Sequence, residues 1–235
     1  MFKNIDGVVP LTTYLKDEMV REGMVDESDT FVAHDGVDLT PYRGTSKERA
    51  REELGLPLAE KFVMYTGHLY PRKGVQFLAE VAREIQGTVL VVGGYQEDID
   101  RIQSQVPTTD NLEFTGFVEP SRIHTYQLSA DVLVAPYTRE AWMPSPLKLF
   151  EYMATGNPIV ASSIPTIEEV LTHERNGLLV PPGDADQLGD EINRLLDDRE
   201  LASEIAATAR NDVEQYTWTK RASDILDFIE QKVNR

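Results

Sequence analysis

Six short apolar runs, each followed by a turn or a helix-like stretch, constrain this chain more than any other feature. Phe62-Val63-Met64-Tyr65 ends in Thr66-Gly67, and Thr88-Val89-Leu90-Val91-Val92 ends in Gly93-Gly94. Asn111-Leu112-Glu113-Phe114, Asp131-Val132-Leu133-Val134-Ala135, Pro158-Ile159-Val160-Ala161 and Leu178-Leu179-Val180 follow, the last after an Asn176-Gly177 turn. Between the first two runs, Val75, Leu78, Ala82 and Ile85 recur at helical spacing. Unbroken apolar strands that alternate with helices predict a parallel sheet covered on both faces. Right-handed crossovers then make the domain doubly wound, and ligands in such sheets sit at the carboxyl ends of the strands. The loops after Tyr65, Val92, Phe114 and Ala135 are therefore expected to face one site.

The two ends of the chain differ from this middle. From Asp184 onward the pattern is helical: Leu188, Ile192, Leu195 and Leu196 share one face, Leu201, Ile205, Ala206 and Ala209 a second, and Trp218, Ala222, Ile225, Phe228 and Ile229 a third. At the start, Val8-Val9-Pro10-Leu11 and Thr30-Phe31-Val32-Ala33 read as strands, and Thr12 as the cap of a helix ending near Gly23. This leading piece is too small to be a domain. At 235 residues, 41% of them hydrophobic, the chain suits one sizeable domain with added elements and is short for two.

Charge and composition exclude several classes of function. The 40 acidic and 23 basic residues give a net charge of -17, without the basic footprint that a nucleic-acid binder needs. Two readings of this acidity stand: an ordinary solvated surface, or adaptation to high salt. No apolar run reaches the roughly eighteen residues of a membrane span, and the first residues lack a signal-peptide pattern. The chain has no cysteine, which excludes disulfides and thiolate metal sites and fits a cytoplasmic protein.

Four stretches carry candidate chemistry. In Thr66-Gly67-His68-Leu69-Tyr70-Pro71-Arg72-Lys73-Gly74 a strand ends and a helix begins near Gly74. A helix N-terminus presents free amides and positive potential to a phosphate, and Arg72 and Lys73 add formal charge. Gly93-Gly94 lets backbone approach a ligand closely, or forms a plain tight turn. Thr115-Gly116-Phe117-Val118 offers amides and an aromatic edge to a base, or packs as a loop. In Met143-Pro144-Ser145-Pro146-Leu147-Lys148-Leu149-Phe150-Glu151-Tyr152-Met153-Ala154-Thr155-Gly156, Ser145 is a candidate cap with Pro146 at the first helical position. Leu147, Phe150, Met153 and Ala154 mark the buried face, and Gly156 stops the helix. Lys148 and Glu151, three apart, share one exposed edge. They make either a surface ion pair or a phosphate-facing end with Glu151 on ribose hydroxyls. Asp98-Ile99-Asp100 has the spacing of a metal-holding pair but falls at the start of a polar helix, and no metal site is expected.

Taken in order, Gly-x5-Lys-Gly, Gly-Gly, Gly-Phe-Val, Ala-Asp-Val-Leu-Val-Ala-Pro and Ser-Pro-Leu-Lys-Leu-Phe-Glu-Tyr-Met-Ala-Thr-Gly resemble the C-terminal domain of a GT-B glycosyltransferase, closest to the retaining family 4. His34-Asp35-Gly36-Val37-Asp38 resembles that family's Asn-Gly-Val-Asp hinge segment. Asn176-Gly177-Leu178-Leu179-Val180-Pro181-Pro182-Gly183-Asp184 resembles another of its hallmarks. The resemblance runs from about Val8 to the end.

It implies an α/β fold, the Rossmann-like half of a GT-B enzyme with a helical C-terminal extension. Residues 1–36 would be a remnant of the N-terminal acceptor domain and hinge, 37–215 the nucleotide-sugar-binding domain, and 216–235 a crossover helix. It implies transfer of a sugar from a nucleotide-diphosphate donor, with retention, to a saccharide or lipid-linked saccharide held by a missing N-terminal domain. No cofactor is implied. Lys73 would stabilise the departing diphosphate. Gly67, His68, Arg72, Gly94, Phe117, Val118, Ser145, Leu147, Lys148 and Glu151 would bind the donor, Phe117-Val118 at the base and Glu151 at the ribose. His68 stands where the family usually has an arginine. The first member of the family's Glu-x7-Glu pair falls at Met143 and is absent, which opens the question of donor choice. A nucleotide-sugar 2-epimerase of the same architecture and a non-catalytic nucleotide-sugar-binding subunit are the alternatives. The implied location is cytoplasmic, or peripheral at a membrane for the full-length enzyme.

Overall fold

The computed structural model describes residues 5–140 and 145–233. Six strands form one sheet: β1 Phe62–Thr66, β2 Thr88–Val92, β3 Leu112–Gly116, β4 Val132–Ala135, β5 Ile159–Ser162 and β6 Leu178–Val180. Every pairing is parallel, and the order is β3-β2-β1-β4-β5-β6. The chain winds outward from β1 in one direction, then returns to pair β4 with β1 and winds outward in the other. The topological switch point of this doubly wound sheet therefore lies between β1 and β4, where loops leave in opposite directions and a crevice opens.

Alternation along each strand divides the core into two layers. Phe62, Met64, Leu90, Val92, Leu133 and Ala135 point to one face, under α5 Pro120–Ser129 and α6 Leu147–Thr155. Val63, Tyr65, Val89, Val91, Val132 and Val134 point to the other, under α3 Val75–Glu80, α4 Gln96–Gln103 and α8 Ala185–Asp197. Two-sided burial explains why these strands read as continuous apolar runs. β3 lies at the edge, which is why Glu113 in its middle is exposed. α2 Lys47–Leu54, α7 Pro165–Glu168, α9 Arg199–Asp212 and α10 Trp218–Val233 complete the periphery.

The leading segment differs from its sequence reading. Thr12 does cap α1 Thr13–Arg21, accepting from the Leu15 amide at 3.1 Å. The two expected strands around it reduce to a single parallel bridge between Val8 and Thr30. Pro10 has no amide to donate, so a ladder cannot extend through it. The segment is instead tied to the body by side chains. Glu169 accepts from the Thr13 and Tyr14 amides, 2.7 Å each, at the start of α1. Arg221 of α10 donates to the carbonyls of Ala33 and His34. Phe31 stacks on Phe228 at 5.4 Å. The helix expected across Val75 to Ile85 also ends early, at Glu80, and tightens into a 3-10 turn at Ala82–Glu84. All four periodic residues remain buried, because the turn keeps their side chains against the sheet.

Candidate functional site

The loops after β1, β2, β3 and β4 converge at the carboxyl end of the sheet, as expected. Thr66 pairs with Val92, and Val92 with Gly116, so three strands end level with one another. The Gly67 amide donates to the Val92 carbonyl (2.8 Å) and the Gly93 amide to Thr115 Oγ1 (3.2 Å), which ties the loops into one floor. A side chain at Gly93 would strike the Gly67 carbonyl at 2.7 Å, and one at Gly94 would strike Leu69 at 2.4 Å. Both also have positive φ. The paired glycines are thus required by close backbone approach and left-handed geometry.

The expected site residues fall into two groups. Gly67, His68, Gly94, Phe117 and Val118 line a cleft of about 180 Å³ with Gly93, Tyr95, Pro120 and Ile123. Its walls are mainly apolar, and Phe117 stands 61% exposed at its rim. His68 stacks on Tyr70 (5.1 Å between ring centres, 11° between planes), and Tyr95 tilts against it at 6.3 Å. Arg72 lies outside the cleft, its guanidinium over the Tyr70 ring.

The second group is built around two lysines at the switch point. Lys73 Nζ lies 4.9 Å from the centre of the Tyr137 ring, and Lys148 Nζ lies 5.9 Å from it. Lys148 Nζ also sits 3.6 Å over the Tyr65 ring. It is buried and has no hydrogen-bond partner among the described residues. Burial drives its pKa well below the ordinary lysine range, nearby Lys73 pushes it further down, and Glu151 opposes both. Burial, then Arg72, lowers Lys73 as well. Two lysine side chains thus converge on one ring, with the Glu151 carboxylate opposing the penalty on Lys148. Gly67 borders this group too: a Cβ there would come within 3.1 Å of Lys148 Nζ.

Four expectations for this helix need correction, including Leu147 on its buried face. α6 starts at Leu147, so Pro146 is the capping position and makes no side-chain hydrogen bond. Ser145 lies one residue too early for its hydroxyl to cap the first turn. Its Oγ is buried and likewise without a partner among the described residues. The helix N-terminus is left without a side-chain cap, beside Lys148. Lys148 and Glu151 do not share an exposed edge either. Their side of α6 faces the crevice, where Lys148 rests on Tyr65 and Glu151 accepts from Gln127 Nε2 at 3.1 Å. Burial raises the Glu151 pKa above the usual carboxylate value, against the Gln127 hydrogen bond and Lys148, which lower it. Leu147, by contrast, is exposed at the mouth. Met143 lies outside the described residues.

Sequence reasoning missed the buried polar residues that support this group. Gln127, Thr66, Tyr152 and Tyr137 are all buried. The Thr66 amide donates to the Tyr152 hydroxyl at 2.9 Å. Gln127 sits in an apolar run, Tyr126-Gln127-Leu128, and only its helical register relative to Ile123 and Ala130 would have pointed it inward. Asp98 of the Asp98-Ile99-Asp100 spacing pairs with Arg101 in α4 at 2.9 Å, and Arg101 also donates to the Leu69 carbonyl beside His68.

Residues 46–212 match the family described as Glycosyl transferases group 1. The chain belongs to this family. It is 30% identical over 207 residues to the GDP-mannose-dependent alpha-(1-6)-phosphatidylinositol monomannoside mannosyltransferase of Mycobacterium tuberculosis, covering 83% of this chain and 54% of that one. Among solved structures, sucrose-phosphate synthase from Thermosynechococcus elongatus superposes with a TM-score of 0.84 and 28% identity over 97% of this chain and 59% of that one. Anabaena HepE, solved with UDP-glucose, superposes with a TM-score of 0.83 over 97% of this chain and 65% of that one; at 21% identity it speaks for the fold alone. This glycosyltransferase-family chain therefore has the α/β Rossmann-like fold of a GT-B C-terminal domain. It spans about half the length of the curated relatives it matches.

Proposed function

We propose that this chain is the donor-binding domain of a retaining glycosyltransferase of family 4, which takes a nucleotide-diphosphate sugar and passes the sugar to a saccharide or lipid-linked acceptor. The observation that carries this reading is Lys148, whose buried Nζ has no hydrogen-bond partner among the described residues, beside Lys73 and the start of α6, which has no side-chain cap. A diphosphate satisfies all three at once. The neighbouring apolar cleft, with Phe117 and Val118 at its wall, has the size and the aromatic edge for a nucleobase. In this reading Glu151, which already accepts from Gln127, takes hydrogen bonds from the ribose hydroxyls. The relatives support a nucleotide-sugar donor in general terms: one is named for GDP-mannose and one was solved with UDP-glucose.

In this reading the chain's own groups manage the charge of the leaving group. As the bond to the sugar breaks, negative charge grows on the diphosphate, and Lys73, Lys148 and the α6 amides stabilise it in a largely water-excluded crevice. Residues 1–36 belong to the acceptor side and hinge, 37–215 to the donor domain and 216–235 to the crossover helix. The bonds from Arg221 to the Ala33 and His34 carbonyls and from the Val37 amide to the Tyr216 carbonyl are the contacts that hold these pieces together. We place the protein in the cytoplasm, with the full-length enzyme at a membrane surface if its acceptor is lipid-linked.

Calorimetry with UDP-, GDP- and ADP-sugars tests the proposal on this chain. One nucleotide series is expected to bind with a sub-millimolar Kd, and Lys73→Ala to weaken it by about 10-fold or more. Absence of binding by all three at millimolar concentration would overturn the donor-domain reading.

A further inference from the structure

Resting on the placement of Glu151 at the ribose, we propose that Gln127 is a positioning residue for donor binding, and that it aims the Glu151 carboxylate and is itself locked by Tyr42. The Gln127 side chain is fully buried, with both its nitrogen and its oxygen engaged in hydrogen bonds. Its Nε2 donates to Glu151 Oε2 (3.1 Å) and to Thr66 Oγ1 (3.1 Å), while its Oε1 accepts from the Tyr42 hydroxyl (2.8 Å). An ionised carboxylate can only accept, so the N–H side of the amide must face Glu151. The Tyr42 hydroxyl, on the 3-10 turn Thr40–Tyr42, holds the opposite side. Thr66 Oγ1 in turn lies 3.3 Å from the Tyr152 hydroxyl, so the relay ends on the last residue of β1 and on α6 itself.

Such a network is worth building only if one orientation of the carboxylate matters. Glu151 Oε2 is tied to Gln127, which leaves Oε1 to meet a ligand. Without the amide, this half-buried carboxylate would lose its anchor and take up a proton more readily. The titratable and charged groups facing Glu151 are Lys148 on α6, Tyr42 after the hinge-like segment, Tyr152 on α6 and Tyr137 after β4. Lys148 is the only cation among them, and the others are phenols held neutral by burial. Gln127 is therefore the one neutral group that both orients the carboxylate and favours its charged form.

The test uses the full chain with Gln127→Met, Glu151→Gln and the double variant, and the probes UDP, GDP and ADP, each beside its 2′,3′-dideoxy analogue. Gln127→Met is expected to weaken the preferred diphosphate by about 10-fold and to leave its dideoxy analogue unchanged. In the Glu151→Gln background the same substitution is expected to add nothing, because its partner is already gone. A 13C titration of the Glu151 carboxyl, assigned by its loss in Glu151→Gln, is expected to move to higher pH in Gln127→Met. Tyr42→Phe, which keeps the packing, should move both readouts in the same direction by a smaller amount. Equal losses for ribose and dideoxy ligands, additive losses in the double variant, or an unmoved Glu151 titration would each overturn the positioning role. If Glu151→Gln itself leaves the ribose preference intact, the placement of Glu151 at the ribose fails first, and the titration still decides whether Gln127 governs the carboxylate.

Discussion

Lys148 is costly to the fold, a cost that the proposed diphosphate would offset. Its folded pKa lies below its unfolded value, so the fold disfavours the ammonium. The penalty is complete at pH values below the folded pKa and disappears as the pH rises toward the ordinary lysine value. Lys148→Met should therefore raise the Tm of the free chain by about 2–4 °C near neutral pH, a gain that shrinks in alkaline buffer, and should abolish nucleotide-diphosphate binding. Thermal melts at pH 7 and pH 10, with and without UDP, GDP or ADP, check this; an unchanged or lower Tm at pH 7 contradicts it. At this scale the sequence was only partly legible. The register of α6 put Lys148 and Glu151 on one side, three residues apart. It did not show that this side faces inward, because charged residues at such spacing usually face water. Tyr42 and Tyr152 left no signal and Gln127 only its helical register, since burial of a polar group depends on partners distant in sequence.

At the scale of elements, turns and close approaches decide which glycines can change. Gly74 ends the 3-10 turn Pro71–Lys73 with φ of 69°, and a Cβ there would lie 1.6 Å from the Pro136 carbonyl. Gly55 ends α2 with a similar φ of 71° and open space around it. Gly55→Ala should cost about 1 kcal/mol in urea unfolding, the strain of the left-handed conformation alone. Gly74→Ala should cost at least about 3 kcal/mol and should displace Lys73, which precedes it. Equal costs would show that the approach to Pro136 relaxes easily. The six strands were readable because burial on both faces makes their composition uniform, and their turns carry glycine. The leading strands were misread because a short apolar run records local preference, whereas a ladder needs donors that Pro10 does not supply.

For the whole molecule, a net charge of -17 on 235 residues is a self-repelling surface. Described pairs such as Lys16–Glu27, Arg194–Glu174 and Arg175–Asp212 relieve it only locally. Screening should raise the Tm as NaCl increases from about 0.01 M to 0.15 M, where the Debye length falls from about 30 to 8 Å. We propose adaptation to high salt as the sharper reading, which requires a further rise into the molar range; a plateau above 0.15 M leaves ordinary screening as the full account. The overall architecture was legible as a doubly wound parallel sheet with its site at the carboxyl ends of the strands. The strand order was not, because apolar runs do not specify their neighbours.

The separation of the two groups of site residues has an evolutionary corollary. The lysines sit at the switch point and the aromatic cleft beside it, over the ends of β1, β2 and β3, with Gly67 bordering both. On the proposed donor-binding reading, loops after β2 and β3 are free to exchange Tyr95 or Phe117 for other shapes without disturbing the grip of Lys73 and Lys148. A lineage built on such a plan can change which letter of the nucleotide alphabet it reads without relearning how to hold the phosphates.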